Sequence, residues 1–183
     1  MASVDALLTA EEFRLLPDGG QLSELVHGKN VVMNMPGFRH GEICGNIVGI
    51  LREHVRPRKL GRAVCNDSGV QTEHDPDTVR GVDVAYFSFA RLPAGEHPHS
   101  YPDVAPEIAF EVKSPSDRWS EIHAKIGEYL AADVLVVCVA DPEHESISVY
   151  RANEPPQTLS GNEESTFAGI LDEFRVPVNE FFE

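Results

Sequence analysis

The sequence predicts a mixed α/β fold of the α+β kind, a central mixed β-sheet flanked by helices. Three observations carry this. "EIAFEV" (107–112) and "VLVVCVA" (134–140) are apolar strand runs separated by a segment of helical periodicity, which makes a right-handed βαβ crossover. "GVDVAYFSF" (81–89) alternates with period two. In 183 residues there is no repeat, low-complexity tract or long linker, so the expectation is one domain spanning 1–183.

The elements follow in order. "TAEEFRLLP" reads as a short helix with Thr9 and Glu12 forming a capping box and Pro17 beyond its end. "QLSELVHGKNVVMNM" is a hairpin turning at His27-Gly28. In "FRHGEICGNIVGILREHV" Ile43, Ile47, Ile50 and Leu51 recur at helical spacing. Gly41, Gly45 and Gly49 make a second stripe, which predicts close approach to the sheet or to a partner subunit. "RAVCN" and "SGVQTE" are short strands around Asp67. In the next strand Val82, Val84 and Tyr86 face one way, and Asp83, Ala85 and Phe87 the other. A Pro-rich loop covers 91–106. "DRWSEIHAKIGEYLAA" is an amphipathic helix capped by Ser116 or Asp117, with Trp119, Ile122, Ile126 and Leu130 inward. "SISVYR" pairs with "VLVVCVA" across the "DPEHE" turn.

Composition narrows the function. Hydrophobic residues make 42% and charged residues 25%, the balance of a globular protein. No apolar run approaches the ~20 residues that span a bilayer, and the N-terminus lacks a basic segment before an apolar one, so a cytoplasmic protein without membrane contact is expected. Three scattered cysteines argue against a disulfide framework and a zinc knuckle. A net charge of −15 argues against a protein that coats nucleic acid electrostatically. The local exception holds Arg52, Arg56, Arg58, Lys59 and Arg62, either a solvated helix end or a phosphate-contacting patch.

The chemistry concentrates in "PEIAFEVKSPSDR" (106–118). Alternation sets Glu107, Glu111 and Lys113 on one face and Ile108, Phe110 and Val112 on the other. Glu111 and Lys113 are about 6.6 Å apart along a strand and form a local pair, whereas Glu107 is about 13 Å from Glu111 and separate. Asp83 sits in a comparable apolar strand. Two buried carboxylates on neighbouring strands repel until a divalent cation neutralises them, and magnesium suits one or two carboxylates, a carbonyl and waters. An Asp followed by Glu-x-Lys on a strand matches the PD-(D/E)XK nuclease pattern of metal-assisted hydrolysis.

The segments "EEFRLLPDGGQLSELVHGK", "HGEICGNI", "DPDTVRGVDVAYFSFARLP", "EVKSPSDR", "KIGEYLAADVLVVCVADPE" and "ISVYR" together resemble the restriction-endonuclease family called Uma2, from about Thr9 to Phe182. The resemblance implies a restriction-endonuclease-like fold, a homodimer and a magnesium site, with manganese acceptable in its place. It implies Asp83 and Glu111 as metal ligands, joined by the Val112 carbonyl, and Lys113 as the catalytic lysine. Val82 stands where the pattern has proline. Glu24 matches the family's first-strand acid; by alternation it faces inward with Leu22 and Val26, either as a third acidic group or as a strand-edge ion pair. His40 opens the long helix on the Ile43/Ile47 face, as a site residue or a hydrogen-bonded core histidine. Some relatives place the lysine at Lys125, but the simpler reading is an exposed partner of Glu121. His97 and His99 read as loop composition.

The leading function is thus a magnesium-dependent endonuclease acting on DNA. Two other readings remain: a catalytically silent dimeric module that kept the fold, and a hydrolase of a small phosphorylated substrate, which no glycine-rich phosphate loop supports. A positive rim from residues 52–62 around Asp83 favours nucleic acid; an acidic rim favours the silent module.

Overall fold

A computed structural model describes residues 6–17 and 19–183; Asp18 and the first five residues of the N-terminal stretch read above for a leader lie outside the described residues. The elements run α1 (Ala10–Arg14), β1 (Ser23–Val26), β2 (Lys29–Val32), α2 (Phe38–Arg58), β3 (Gly61–Glu73), β4 (Thr78–Ser88), β5 (Ile108–Val112) and α3 (Trp119–Ala131). After them come β6 (Val136–Asp141), β7 (Ser146–Tyr150), β8 (Gln157–Ser160), β9 (Glu164–Phe167), β10 (Leu171–Pro177) and a 3-10 turn, Val178–Phe181. The main sheet has eight strands ordered β2-β1-β4-β5-β6-β7-β8, with β3 also paired to β4; β9 and β10 form a separate pair. Among the described residues only β5–β6 is parallel, and α3 is its crossover, so the mixed α/β fold and the βαβ unit stand as expected. Among the described residues no helix is long and apolar enough to cross a membrane.

Each face of the sheet buries its own apolar set. Ile108, Phe110 and Val112 of β5 pack with Val84 and Tyr86 against Ile43, Ile47, Leu51 and Val55 of α2, and the C-terminal aromatics Phe174, Phe181 and Phe182 close this side. Ala109 faces the opposite way and packs with Ile122, Ile126 and Tyr129 of α3. Glu111, two residues beyond Ala109, therefore meets α3.

Several local expectations hold and several do not. Thr9 and Glu12 form the capping box of α1, and β1–β2 turns at His27-Gly28. The two short strands around Asp67 are one strand, β3, with a bulge between Cys65 and Ser68 where Asn66 and Asp67 take positive φ. Arg118, not Ser116 or Asp117, is the N-cap of α3 and makes no side-chain cap bond; Asp117 instead accepts from the Ser114 amide at 2.8 Å. Trp119 is half-exposed rather than inward, because it precedes the first turn that reaches the sheet. The stripe Gly41, Gly45 and Gly49 does not approach the sheet: a methyl added at any of the three meets nothing within 4 Å.

Candidate active site

The register that pairs Val84 with Phe110 and Ala85 with Ala109, continued by one pair, sets Asp83 against Glu111. The ladder ends first, so the strands splay there. Val82 joins the α3-side core instead of its alternation mates Val84 and Tyr86. Asp83 turns into the gap: its Oδ2 accepts the Val112 amide at 2.6 Å and lies 3.3 Å from Nε2 of His40. The β3 bulge brings Asp67 alongside, and Gly81 permits this, since a methyl there would stand 3.0 Å from the Asp67 Cβ.

These groups line one cleft of about 510 Å³. Glu24, Asp67, Asp83, Glu111, Val112, His40, Lys113 and Lys125 all contribute to it. Glu24 and Glu111 are buried, and between them lies the ammonium of Lys125, 2.9 Å from Glu24 Oε1 and 3.3 Å from Glu111 Oε2. The fully buried Tyr129 donates its hydroxyl to Glu111 Oε1 at 2.7 Å. Arg80 holds the far side of Glu24 at 2.8 Å and grips Glu128 with two hydrogen bonds of 2.6 and 2.7 Å.

Burial pushes the Glu111 carboxyl up to about 7; Lys125 pulls it down, and the nearby Asp83 charge adds to the rise. Burial works against the Lys125 ammonium, but the charges of Glu111 and Glu24 outweigh it and raise its pKa above the ordinary lysine value. For His40 burial again opposes the charge, and the contact with Asp83 prevails, raising its pKa. Asp67 is raised, first by burial and then by Asp83. Four carboxylates thus share one enclosed base with one lysine and one histidine.

Lys113 departs from expectation. It lies one residue past β5 and keeps the Glu111 face, towards α3, but the parallel register sets it beside Asp141. Its ammonium is 3.8 Å from Asp141 and 3.9 Å from Glu143, over the Trp119 ring, so the Glu111–Lys113 pair does not form. Lys125 is not the exposed partner of Glu121. It falls within the inward stripe Ile122, Ile126 and Tyr129, and that spacing was the signal that could have found it. Glu107, at the opposite end of β5, is a separate structural group. It accepts from the Ser88 hydroxyl and the Ser88 amide and lies 3.6 Å from Arg91. Leu22 is exposed, so Glu24 shares no buried face with it. Asp67, Arg80 and Tyr129 were missed because each depends on a contact far along the chain.

The basic stretch does not frame the cleft. His40 starts α2, and Arg52 to Lys59 lie roughly 18–28 Å further along the helix by its rise of about 1.5 Å per residue. Arg62 is engaged with the carbonyls of Glu96, Pro93 and Ala94 and stacks over Phe89. The rim is acidic instead, with Asp117 and Glu121 among its lining residues.

Two groups of side chains among the described residues are close enough to hold a metal ion: His40, Cys44 and Asp83, and Asp141, Glu143 and His144. In the first, burial pushes the Cys44 thiol up, so it remains protonated. Histidine and carboxylate oxygen remain as donors there. The second already holds the Lys113 ammonium.

Fold and site together define a restriction-endonuclease-like α/β protein with a carboxylate-lined cleft where the central strands splay. The chain belongs to the Uma2 family, described as "Putative restriction endonuclease", whose sequence profile matches residues 10–179. Its fold is similar to a crystal structure from Anabaena variabilis described as a putative nuclease belonging to DUF820. That likeness has a TM-score of 0.81 at 20% identity and covers 96% of this chain and 97% of the other. No curated protein matches.

The cluster makes Glu111→Gln informative. A carboxyl whose pKa rises from 4.5 to about 7 on folding stabilises the fold fully below pH 4.5. That contribution is lost as pH climbs through about 7, an effect on the order of 3 kcal/mol for a shift of this size. The variant should lack this loss. Without metal it should match or exceed the wild type at pH 8, because Lys125 keeps Glu24 as its partner. Urea unfolding from pH 4 to 8 checks it. A variant about 3–5 kcal/mol weaker at pH 8 would mean that Glu111 serves to neutralise the lysine.

Proposed function

We propose that this protein is a divalent-metal-dependent endonuclease of PD-(D/E)XK type that hydrolyses phosphodiester bonds in DNA, and that it works in the cytoplasm. Membership in a restriction-endonuclease family supports the reaction class and DNA as substrate. The observation that carries the reading is the meeting of Asp83 and Glu111 at one cleft base with a buried lysine beside Glu111.

The donor set fits a hard cation. Carboxylate oxygens dominate, the neighbouring thiol stays protonated, and the acids are in electrostatic excess. Asp83, Glu111 and the Val112 carbonyl would hold magnesium, or manganese in its place. When bound, the cation lowers the pKa of a water and neutralises charge on the phosphate.

The chain's own residues do the rest. Lys125 remains protonated at working pH and offers its charge to the phosphoryl oxygens as negative charge develops there. It takes the part that the sequence pattern assigns to Lys113. Glu24 and Arg80 fix Lys125 in place, and Tyr129 fixes one oxygen of Glu111. His40 holds Asp83 in the strand gap. The oxygen of water bonds to phosphorus and the bridging P–O bond breaks. One water proton goes to the leaving sugar oxygen, giving an alcohol and a phosphate monoester.

An acidic rim favours a second reading, the silent interaction module, and an assay separates the two. With magnesium or manganese the wild type should cleave mixed DNA substrates. Asp83→Asn and Glu111→Gln should lose about three orders of magnitude, and Lys125→Met about two, typical for removing one charge-stabilising group. Lys113→Met should stay within about threefold, because its ammonium is engaged by Asp141 and Glu143 and not by Glu111. No cleavage by the wild type with either metal would favour the silent module. Loss in Lys113→Met with Lys125→Met active would return the lysine role to the sequence pattern.

The resemblance also supports a homodimer, and closed two-fold dimers are the commonest oligomers. Light scattering should give twice 20.2 kDa; a mass of 20.2 kDa would contradict it.

A further inference from the structure

We infer that the cleft accepts a single-stranded nucleic-acid segment, with one unstacked base against an apolar wall and its phosphate at the carboxylate base. The inference rests on the phosphodiesterase reading and names its substrate class.

The cleft has two unlike halves. Its base is the ionic cluster described above. One part of its wall, apart from the acidic rim at Asp117 and Glu121, is apolar: Phe13, Leu22, Val32, Met33, Met35 and Tyr101 come from α1, the β1–β2 hairpin, the chain after β2 and the Pro-rich loop. This surface is open to solvent, with Leu22 39%, Val32 57% and Met35 89% exposed. Phe38, directly after the cleft-lining Gly37, is 88% exposed and extends the apolar surface beyond the mouth. A hydrolytic site for small polar esters has no use for such a wall.

Charge decides which nucleic acid fits. A duplex carries one negative charge per about 1.7 Å and is seated by rows of cations. Each cation lining this cleft is already engaged by carboxylates: His40 by Asp83, Lys113 by Asp141 and Glu143, and Lys125 by Glu24 and Glu111. The basic stretch on α2 is remote from the mouth. What remains is contact with an apolar surface that includes the rings of Phe13 and Tyr101, and stacking on such rings requires the base to be out of a duplex. The volume of about 510 Å³ holds one nucleotide with room to spare, not a double helix. Phe38 and Met35 outside the mouth suit the bases on either side, which a free mononucleotide lacks.

Fluorescence anisotropy tests this with a labelled 12-nucleotide strand and the same sequence as a duplex, calcium replacing magnesium so that binding is read without cleavage. The single strand should bind at least about tenfold more tightly, the worth of one stacked base. The double variant Val32→Ser/Met35→Ser should lose about tenfold in single-strand affinity, the worth of partly burying two apolar side chains under the strand, with an unchanged melting temperature because both side chains are exposed. Duplex binding equal to or tighter than single-strand binding would overturn the inference, as would an unaffected double variant or no binding to either. Thymidine monophosphate competing as well as the strand would reassign the cleft to free nucleotides. Intact, variant-sensitive strand binding without cleavage in magnesium would support the occupant and refute the hydrolytic reading. Cleavage of duplex in preference to single strand would do the reverse.

Discussion

Four carboxylates, Glu24, Asp67, Asp83 and Glu111, converge on one cleft, where Lys125 is the lysine that bridges Glu24 and Glu111. Burying ionised acids together is costly, because each charge loses water and gains a like-charged neighbour. The protein meets that cost in part. Lys125 bridges Glu24 and Glu111, Tyr129 donates to Glu111, Arg80 braces Glu24, and His40 and the Val112 amide hold Asp83. The compensation is incomplete, which is why the Glu111 carboxyl is pushed up to about 7. A site left short of positive charge at its base suits the divalent cation proposed for it, and the surrounding fold serves to keep the acids from moving apart.

That fold supplies three devices. The antiparallel register of β4 and β5 ends one pair before Asp83 and Glu111, opening the gap into which Asp83 turns. The β3 bulge carries Asp67 inward, where Gly81 leaves room for it. The crossover helix α3 lays Lys125 and Tyr129, one turn apart, over Glu111. Both faces of β5 are buried in apolar clusters, so neither helix can shift to relieve the repulsion without opening a core.

Much of this was legible in the sequence. Alternation in "EIAFEV" marked Glu111 as a charge on a buried strand, and its remoteness from Glu107 follows from strand rise alone. The hairpin, the capping box of Thr9 and Glu12, and the βαβ unit rest on local signals and appear as read. Two readings failed for physical reasons. Lys113 was paired with Glu111 along the strand, whereas the cross-strand neighbour Asp141 takes its ammonium. Lys125 was judged by charge pairing with Glu121, although its place in the Ile122–Ile126–Tyr129 stripe points inward. Asp67 and Arg80 act through contacts with residues distant in sequence, which no local pattern encodes.

The central claim is that Glu111 is held partly protonated by burial and by its neighbours, and is released to full charge by a cation. Carbon NMR of the glutamate carboxyls as a function of pH measures this directly. The account predicts that the Glu111 signal titrates near pH 7 without metal and well below that with magnesium present, while surface glutamates do not move. A Glu111 that titrates near 4.5 and ignores magnesium would contradict it.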